Sequence, residues 1–148
     1  MFLGRTNELN LLKNLRAKRT ASLVIIKGRR RIGKTRLAEE FAKIWSRVLL
    51  FSALPPEPHT QAETERTEFA AQLARIAGIS GLQSHDWGDL FWHLAQHTQT
   101  GHVLIVLDEI NWMGSKDPTF LGKLKIAWDL YFSKAPNLML ILSGSMSA

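Results

Sequence analysis

One stretch limits what this chain can fold into more than any other. Gly28-Arg29-Arg30-Arg31-Ile32-Gly33-Lys34-Thr35 fits the pattern G-x-x-x-x-G-K-[ST]. A loop of this kind works only between a buried strand that aims it and a helix that begins where the phosphates sit. The flanking residues supply both. An apolar run, Ala21-Ser22-Leu23-Val24-Ile25-Ile26, precedes the loop, and a helix-like run from Arg36 to Trp45 follows it. Gly28 and Gly33 permit positive φ angles and close backbone approach, so the N–H groups of residues 29–35 can wrap a phosphate chain. Lys34 is placed to reach the β- and γ-phosphates, and the Thr35 hydroxyl is the candidate ligand for Mg²⁺. Arg29, Arg30 and Arg31 add positive field to the same loop and equally suit a partner, and Ile32 follows them within the phosphate-binding stretch.

Two further signals fall at strand ends. Val103-Leu104-Ile105-Val106-Leu107 runs into Asp108-Glu109, which begins 74 residues after Lys34. An acid at the end of a buried strand is suited to hold the metal, and a glutamate after it is suited to polarise the attacking water. On its own such a pair also fits an ordinary acidic turn; the loop upstream favours the catalytic reading. The weaker signal is Ser143-Gly144-Ser145, after the last apolar run. Ser143, which ends that run, is a candidate to sense the γ-phosphate, although serine and glycine are also common in plain turns.

The rest of the chain alternates between strand-like and helix-like segments. Thr6 can cap a first helix with Leu9, Leu12 and Leu15 on its apolar stripe. Strands are expected at 22–27, 48–53, 103–108 and 138–142. The helix after the loop should bury Leu37, Phe41, Ile44 and Trp45. A proline-rich polar stretch, 54–67, leads into a helix with Phe69, Leu73 and Ile76 on one face. Asp86 can cap the next helix, with Leu90, Phe91 and Leu94 inward, and a last helix should present Leu121, Leu124, Trp128 and Tyr131. Strands alternating with helices predict an α/β fold, a parallel sheet with helices on both faces. In such sheets ligands bind at the carboxyl ends of the strands, where all three signals lie.

Composition removes several alternatives. The 148 residues suffice for one domain with a core, and no apolar run approaches the ~20 residues that span a bilayer. There is no cysteine, hence no disulfide framework or thiolate metal site, and a cytoplasmic location is expected. His93 and His97 are four apart, but Leu94-Ala95-Gln96 lacks the glutamate of H-E-x-x-H. The net charge of +6 is uneven. Residues 1–47 carry 13 lysines and arginines against 3 acids, a balance of +10, whereas residues 48–148 carry 6 against 10, a balance of −4. A basic first third also suits nucleic-acid backbone. Trp112 and Met113, just after the acidic pair, are expected to face a partner or a moving segment.

Taken together, Phe2-Leu3-Gly4-Arg5 with Glu8-Leu9, the loop with Ile26-Lys27 before it, and Leu107-Asp108-Glu109-Ile110 with Trp112 resemble the archaeal-type ATPase family, in the AAA+/STAND branch of P-loop NTPases. The resemblance runs over nearly the whole chain. It implies a three-layer P-loop ATPase core that takes ATP and Mg²⁺, with Lys34 and Thr35 in the Walker A role and Asp108 and Glu109 in the Walker B role. Gly4 and Arg5 would, by the same likeness, lie near the adenine. Asn111 departs from the glutamine usual at its position. Family members continue past a fourth strand with a fifth, a helical lid and often a C-terminal effector domain, so the chain is expected to be the N-terminal part of such a protein, with its first strand at an open edge. Three functions fit: an ATPase whose hydrolysis resets a conformational switch, a nucleotide-gated signalling or assembly module with little turnover, and a DNA-associated protein using the basic first third.

Overall fold

In the computed structural model, residues 10, 13–15, 17–18, 20–28, 45, 47–82 and 85–145 are described. Four strands form one parallel sheet: β1 (Ser22–Gly28), β2 (Arg47–Ser52), β3 (Val103–Asp108) and β4 (Leu138–Ser145). Their order is β1-β4-β3-β2. The last strand in sequence is thus inserted between the first and third, and every pairing is parallel. Strands covered on both faces read as continuous apolar runs, which is why β3 and the first part of β4 contain almost nothing else.

Four helical segments are described besides the residues near position 15. They are α1 (Ala62–Ala77), α2 (Trp87–Gln96), the single turn α3 (Ile110–Met113) and α4 (Phe120–Leu130), with a 3₁₀ turn at Phe132–Lys134. The ends follow local chemistry. The Asp86 carboxylate accepts from the Asp89 N–H at 3.3 Å, as expected of an N-cap, and its neighbour Trp87 is fully buried. Gly78, at φ 71°, closes α1 in the left-handed conformation that glycine adopts without strain.

The two faces of the sheet have separate cores. On one, Leu49, Phe51, Ile105, Leu107, Leu140 and Leu142 pack against α1, α2 and α4. An aromatic chain joins these layers. Phe51 stacks on Phe69 at 4.5 Å, Phe69 meets the edge of Trp87 at 5.3 Å, and Trp87 meets Phe120 at 4.8 Å. On the other face Ile26, Leu104, Val106, Met139 and Ile141 pack with Trp45, and Leu15 lies against them. The α/β class and the two covered faces agree with the sequence, and Trp45 is buried as expected. Leu37, Phe41 and Ile44 lie outside the described residues.

Three expected positions are corrected, two inward and one outward. Leu121 is 68% exposed, because α4 turns the adjacent Phe120 and Leu124 to the core. Ile76 is 39% exposed in the last turn of α1, past the point where Leu73 meets the sheet. Met113, expected outward, is buried and anchors α3 in the larger core. The last strand also continues beyond Leu142 to Ser145, because β1 pairs it through the Gly28–Ser145 register.

Both sheet edges carry information. Among the described residues β1 is an edge strand, with Leu23 42% and Ile25 59% exposed. At the β2 edge, Gln72 of α1 brackets the backbone of Ser52, accepting from its N–H at 3.0 Å and donating to its C=O at 2.9 Å. These bonds satisfy backbone groups that an edge would otherwise expose for further pairing. Next to it the buried Glu65 accepts from the Leu54 N–H at 3.1 Å through Oε1, while Oε2 has no hydrogen-bond partner. Burial pushes the Glu65 carboxyl above its ordinary 4.5, and the charge of Glu68 adds to this; the Leu54 N–H opposes it.

Two outcomes follow from this packing. Phe69→Ala, which empties the centre of the aromatic chain, should cost about 3–5 kcal/mol in urea unfolding. Folded Glu65 holds its proton more tightly than the unfolded chain does, so its contribution is full in acid and is lost as pH rises past the ordinary glutamate range. Glu65→Gln, neutral throughout, should therefore be more stable than the parent at neutral pH, by a margin that shrinks on acidification. A margin independent of pH would contradict the raised pKa.

Candidate functional site

Parallel pairing brings the carboxyl ends of all four strands to one rim. Asp108, the last residue of β3, pairs with Ser143 of β4, and Ser143 pairs in turn with Ile26 of β1. Side chains alternate across a strand. Leu107 and Leu142 belong to the core under α1, α2 and α4, so Asp108 and Ser143 are turned to the other face, with Ile26 and Trp45. Gly28 lies two residues beyond Ile26 and pairs with Ser145. At the usual strand spacing and rise, the Cα atoms of Gly28 and Asp108 are about 12 Å apart, with the tip of β4 between them.

Ser143 is buried, and its hydroxyl has no hydrogen-bond partner. An unmade bond on a buried hydroxyl costs roughly 1–3 kcal/mol, so such groups are rare without a reason. Asp108 beside it is partly exposed and can be reached from the rim. One of its carboxylate oxygens accepts from the Glu109 N–H at 3.0 Å. A partly exposed carboxylate, a buried hydroxyl seeking a partner and the strand that feeds the glycine-rich loop therefore share one rim of the sheet. This donor set suits a hydrated divalent cation and a phosphate chain.

Glu109 turns the chain off the sheet. Its backbone sits at φ 55° and ψ 50°, and it is the only non-glycine residue with positive φ among the described residues. A non-glycine residue there costs on the order of 1–3 kcal/mol and persists where the surroundings over-determine it. They do so here. The Glu109 C=O accepts from the N–H groups of Trp112 at 2.9 Å and Met113 at 3.1 Å, and Met113 is held in the core. At the far end of this turn Gly114 packs so closely on Phe120 that any side chain would run into the ring.

Of the residues picked from the sequence, Gly28, Asp108, Glu109 and Ser143 are gathered at this rim. Gly4, Arg5, Arg29, Arg30, Arg31, Ile32, Gly33, Lys34 and Thr35 lie outside the described residues. His93 sits inside α2 and His97 caps its end; among the described residues no group of three or more His, Cys, Asp or Glu side chains is disposed to hold a metal. Sequence reasoning missed the turn at Glu109 and its packing. The one available trace was the glycine between Ser143 and Ser145, which reads equally well as a plain turn.

Beside the rim, on the α3 side, lies a cavity of about 500 Å³ bordered by Ile25, Lys27, Ile110, Asn111, Leu121 and Leu142. Among the described residues no helix is long and apolar enough to cross a membrane.

Comparison with known proteins agrees with this geometry. The chain is similar to a Walker-type ATPase of Pyrococcus abyssi, with a TM-score of 0.61 and 17% identity over 97% of this chain and 45% of that one. It is also similar to the ORC2 protein of Aeropyrum pernix, with a TM-score of 0.58 and 19% identity over 98% and 41%. For PCH-2 of C. elegans the values are 0.55 and 12% over 97% and 38%. At these identities the likeness is one of fold, and the chain spans less than half the length of each solved chain. No curated protein sequence matches it at a significant level. The sequence profile of the family described as "AAA domain" matches residues 16–148, nearly the whole chain, and with the parallel P-loop-type sheet this makes the chain a member of the AAA-domain family of ATPase cores.

Proposed function

We propose that the protein binds ATP with Mg²⁺ at this rim and hydrolyses it, and that the bound nucleotide acts as a conformational switch. The observation that carries the reading is the Asp108–Ser143 pair at the end of adjacent strands, with a buried hydroxyl lacking a partner beside a carboxylate. The glycine-rich loop leaves the sheet from β1, one strand further along. Membership of the AAA-domain family supports the nucleotide class. The Aeropyrum pernix protein, solved in ADPNP and ADP complexes, is an example of the same fold with adenine nucleotides.

Each residue has a part. The amides of residues 29–35 and the Lys34 ammonium would bind the phosphate chain. Thr35 and Asp108 would hold the magnesium, directly or through its water. Magnesium supplies charge neutralisation on the transferring phosphoryl group. Glu109 would orient the water and accept its proton, and the Ser143 hydroxyl would donate to a γ-phosphate oxygen. Gly4 and Arg5 would border the adenine. The residues described at the rim fit such a ligand, since Ser143 has an unmet hydrogen bond and Asp108 an accessible carboxylate.

A second reading rests on the charge imbalance, +10 in residues 1–47. It predicts DNA binding that weakens steeply with salt and survives Lys34→Ala.

In the full-length protein, Lys34→Ala should abolish ATP binding, read by fluorescent-nucleotide titration. Glu109→Gln should retain that binding and lose about 10²–10⁴-fold in phosphate release. Turnover that persists in Glu109→Gln would leave the nucleotide-gated module without hydrolysis by this residue.

A further inference from the structure

The first turn of α3 sits on β4 at the one place where β4 has no side chain. A Cβ on Gly144 would overlap the Asn111 carboxamide oxygen and come within 3.1 Å of Ile110 Cγ2. Gly144 is buried and points to the α3 face of the sheet, whereas its neighbour Ser143 points to the face of Asp108. Helix α3 thus rests on the back of the strand whose front carries the candidate sensing hydroxyl.

The close seat and the left-handed backbone of Glu109 are two aspects of one constraint. Chain leaving β3 at Asp108 has a single residue, Glu109, in which to turn from the sheet onto β4, because Ile110 already touches the Gly144 site. A right-handed or extended Glu109 would carry Ile110 and Asn111 away from β4. The turn is held at three points: the Asp108 carboxylate on the Glu109 N–H, Met113 in the core, and Ile110 with Asn111 on Gly144. The first two fix the ends of the segment. The third, together with the packing of Ile110 on the larger core, sets its height above β4.

We infer that Asn111 and Gly144 are positioning residues: their contact sets where Glu109 stands relative to Ser143 and Asp108. This deepens the proposed hydrolysis and rests on it. Neither residue touches the nucleotide in this account. Their effect is on the placement of the general base, where an error of about 1 Å can cost on the order of 10²-fold in rate. Binding of the phosphate chain, which depends on the loop after β1, is left unaltered.

The test uses the full-length protein with Gly144→Ala, Asn111→Ala and the double variant, each assayed for kcat, KM and fluorescent-nucleotide affinity. Gly144→Ala displaces the Asn111 carboxamide from its seat and presses on Ile110, and should lower kcat about tenfold, with nucleotide affinity within about twofold of the parent. Asn111→Ala removes the side chain that fixes the seat and should lower kcat less, by about threefold or more. Because the added methyl then has no carboxamide to strike, the double variant should be faster than Gly144→Ala alone. A merely structural role would not produce this rescue or the split between kcat and affinity. If Gly144→Ala does not fold, Asn111→Ala with unchanged affinity and lowered kcat carries the inference, and unchanged kcat overturns it. Loss of affinity in parallel with kcat overturns it as well. Glu109→Gln separates the two levels. If that variant loses turnover while the Asn111 and Gly144 variants keep it, the positioning role falls and hydrolysis stands; if it keeps turnover, both fall.

Discussion

The structure depends on the insertion of β4 between β1 and β3. Parallel pairing on both sides puts Ile26, Ser143 and Asp108 in one row, and continues the strand two residues further to face Gly28. Burial on both faces makes this register strongly specified. A slip of β4 by one residue would send Leu140 and Leu142 out of the larger core and would turn Ser143 into it, away from Asp108. The same apolar contacts that stabilise the sheet therefore fix which polar groups stand at its rim.

The proposed function is concentrated where the packing rules are locally broken. Ser143 is buried without a partner, Glu109 adopts a backbone conformation uncommon for its type, and Gly144 gives up its side chain to admit α3. Each costs stability in isolation. The aromatic chain from Phe51 to Phe120 packs beneath the sheet, and Gln72 caps β2 at Ser52, the residue paired with Asp108; both brace the rim that carries these features. In the proposed function these departures share one purpose, around a bound nucleotide.

Much of this was legible in the sequence. The four strands were found because buried parallel strands are unbroken apolar runs, and α2 because Asp86 is followed by residues of helical period. The glycine-rich loop stands out by its fixed pattern and the acidic pair by its place after an apolar run, and that pair does fall at the end of β3. Failures have equally physical origins. Helix α3 is one turn long, too short for any periodicity, and it exists because Met113 finds the core. Leu121 was placed inward by extending an apolar stripe that Phe120 in fact supplies. Ser143-Gly144-Ser145 reads as a turn from composition alone, and is strand because β3 and β1 flank Ser143 and β1 goes on to pair Gly144 and Ser145. The loop residues from Arg29 to Thr35 are known here from sequence only.

The central claim is that the loop after β1 and the acid at the end of β3 converge on one metal-bound triphosphate. It is tested most directly by the separation of the Thr35 hydroxyl oxygen and the Asp108 carboxylate in a crystal structure of the full-length protein with Mg²⁺ and a non-hydrolysable ATP analogue. A separation of about 6 Å or less, the reach of one magnesium ion and one of its waters, is the result predicted. Those two groups on opposite sides of the sheet, with the analogue bound away from Ser143, would contradict it.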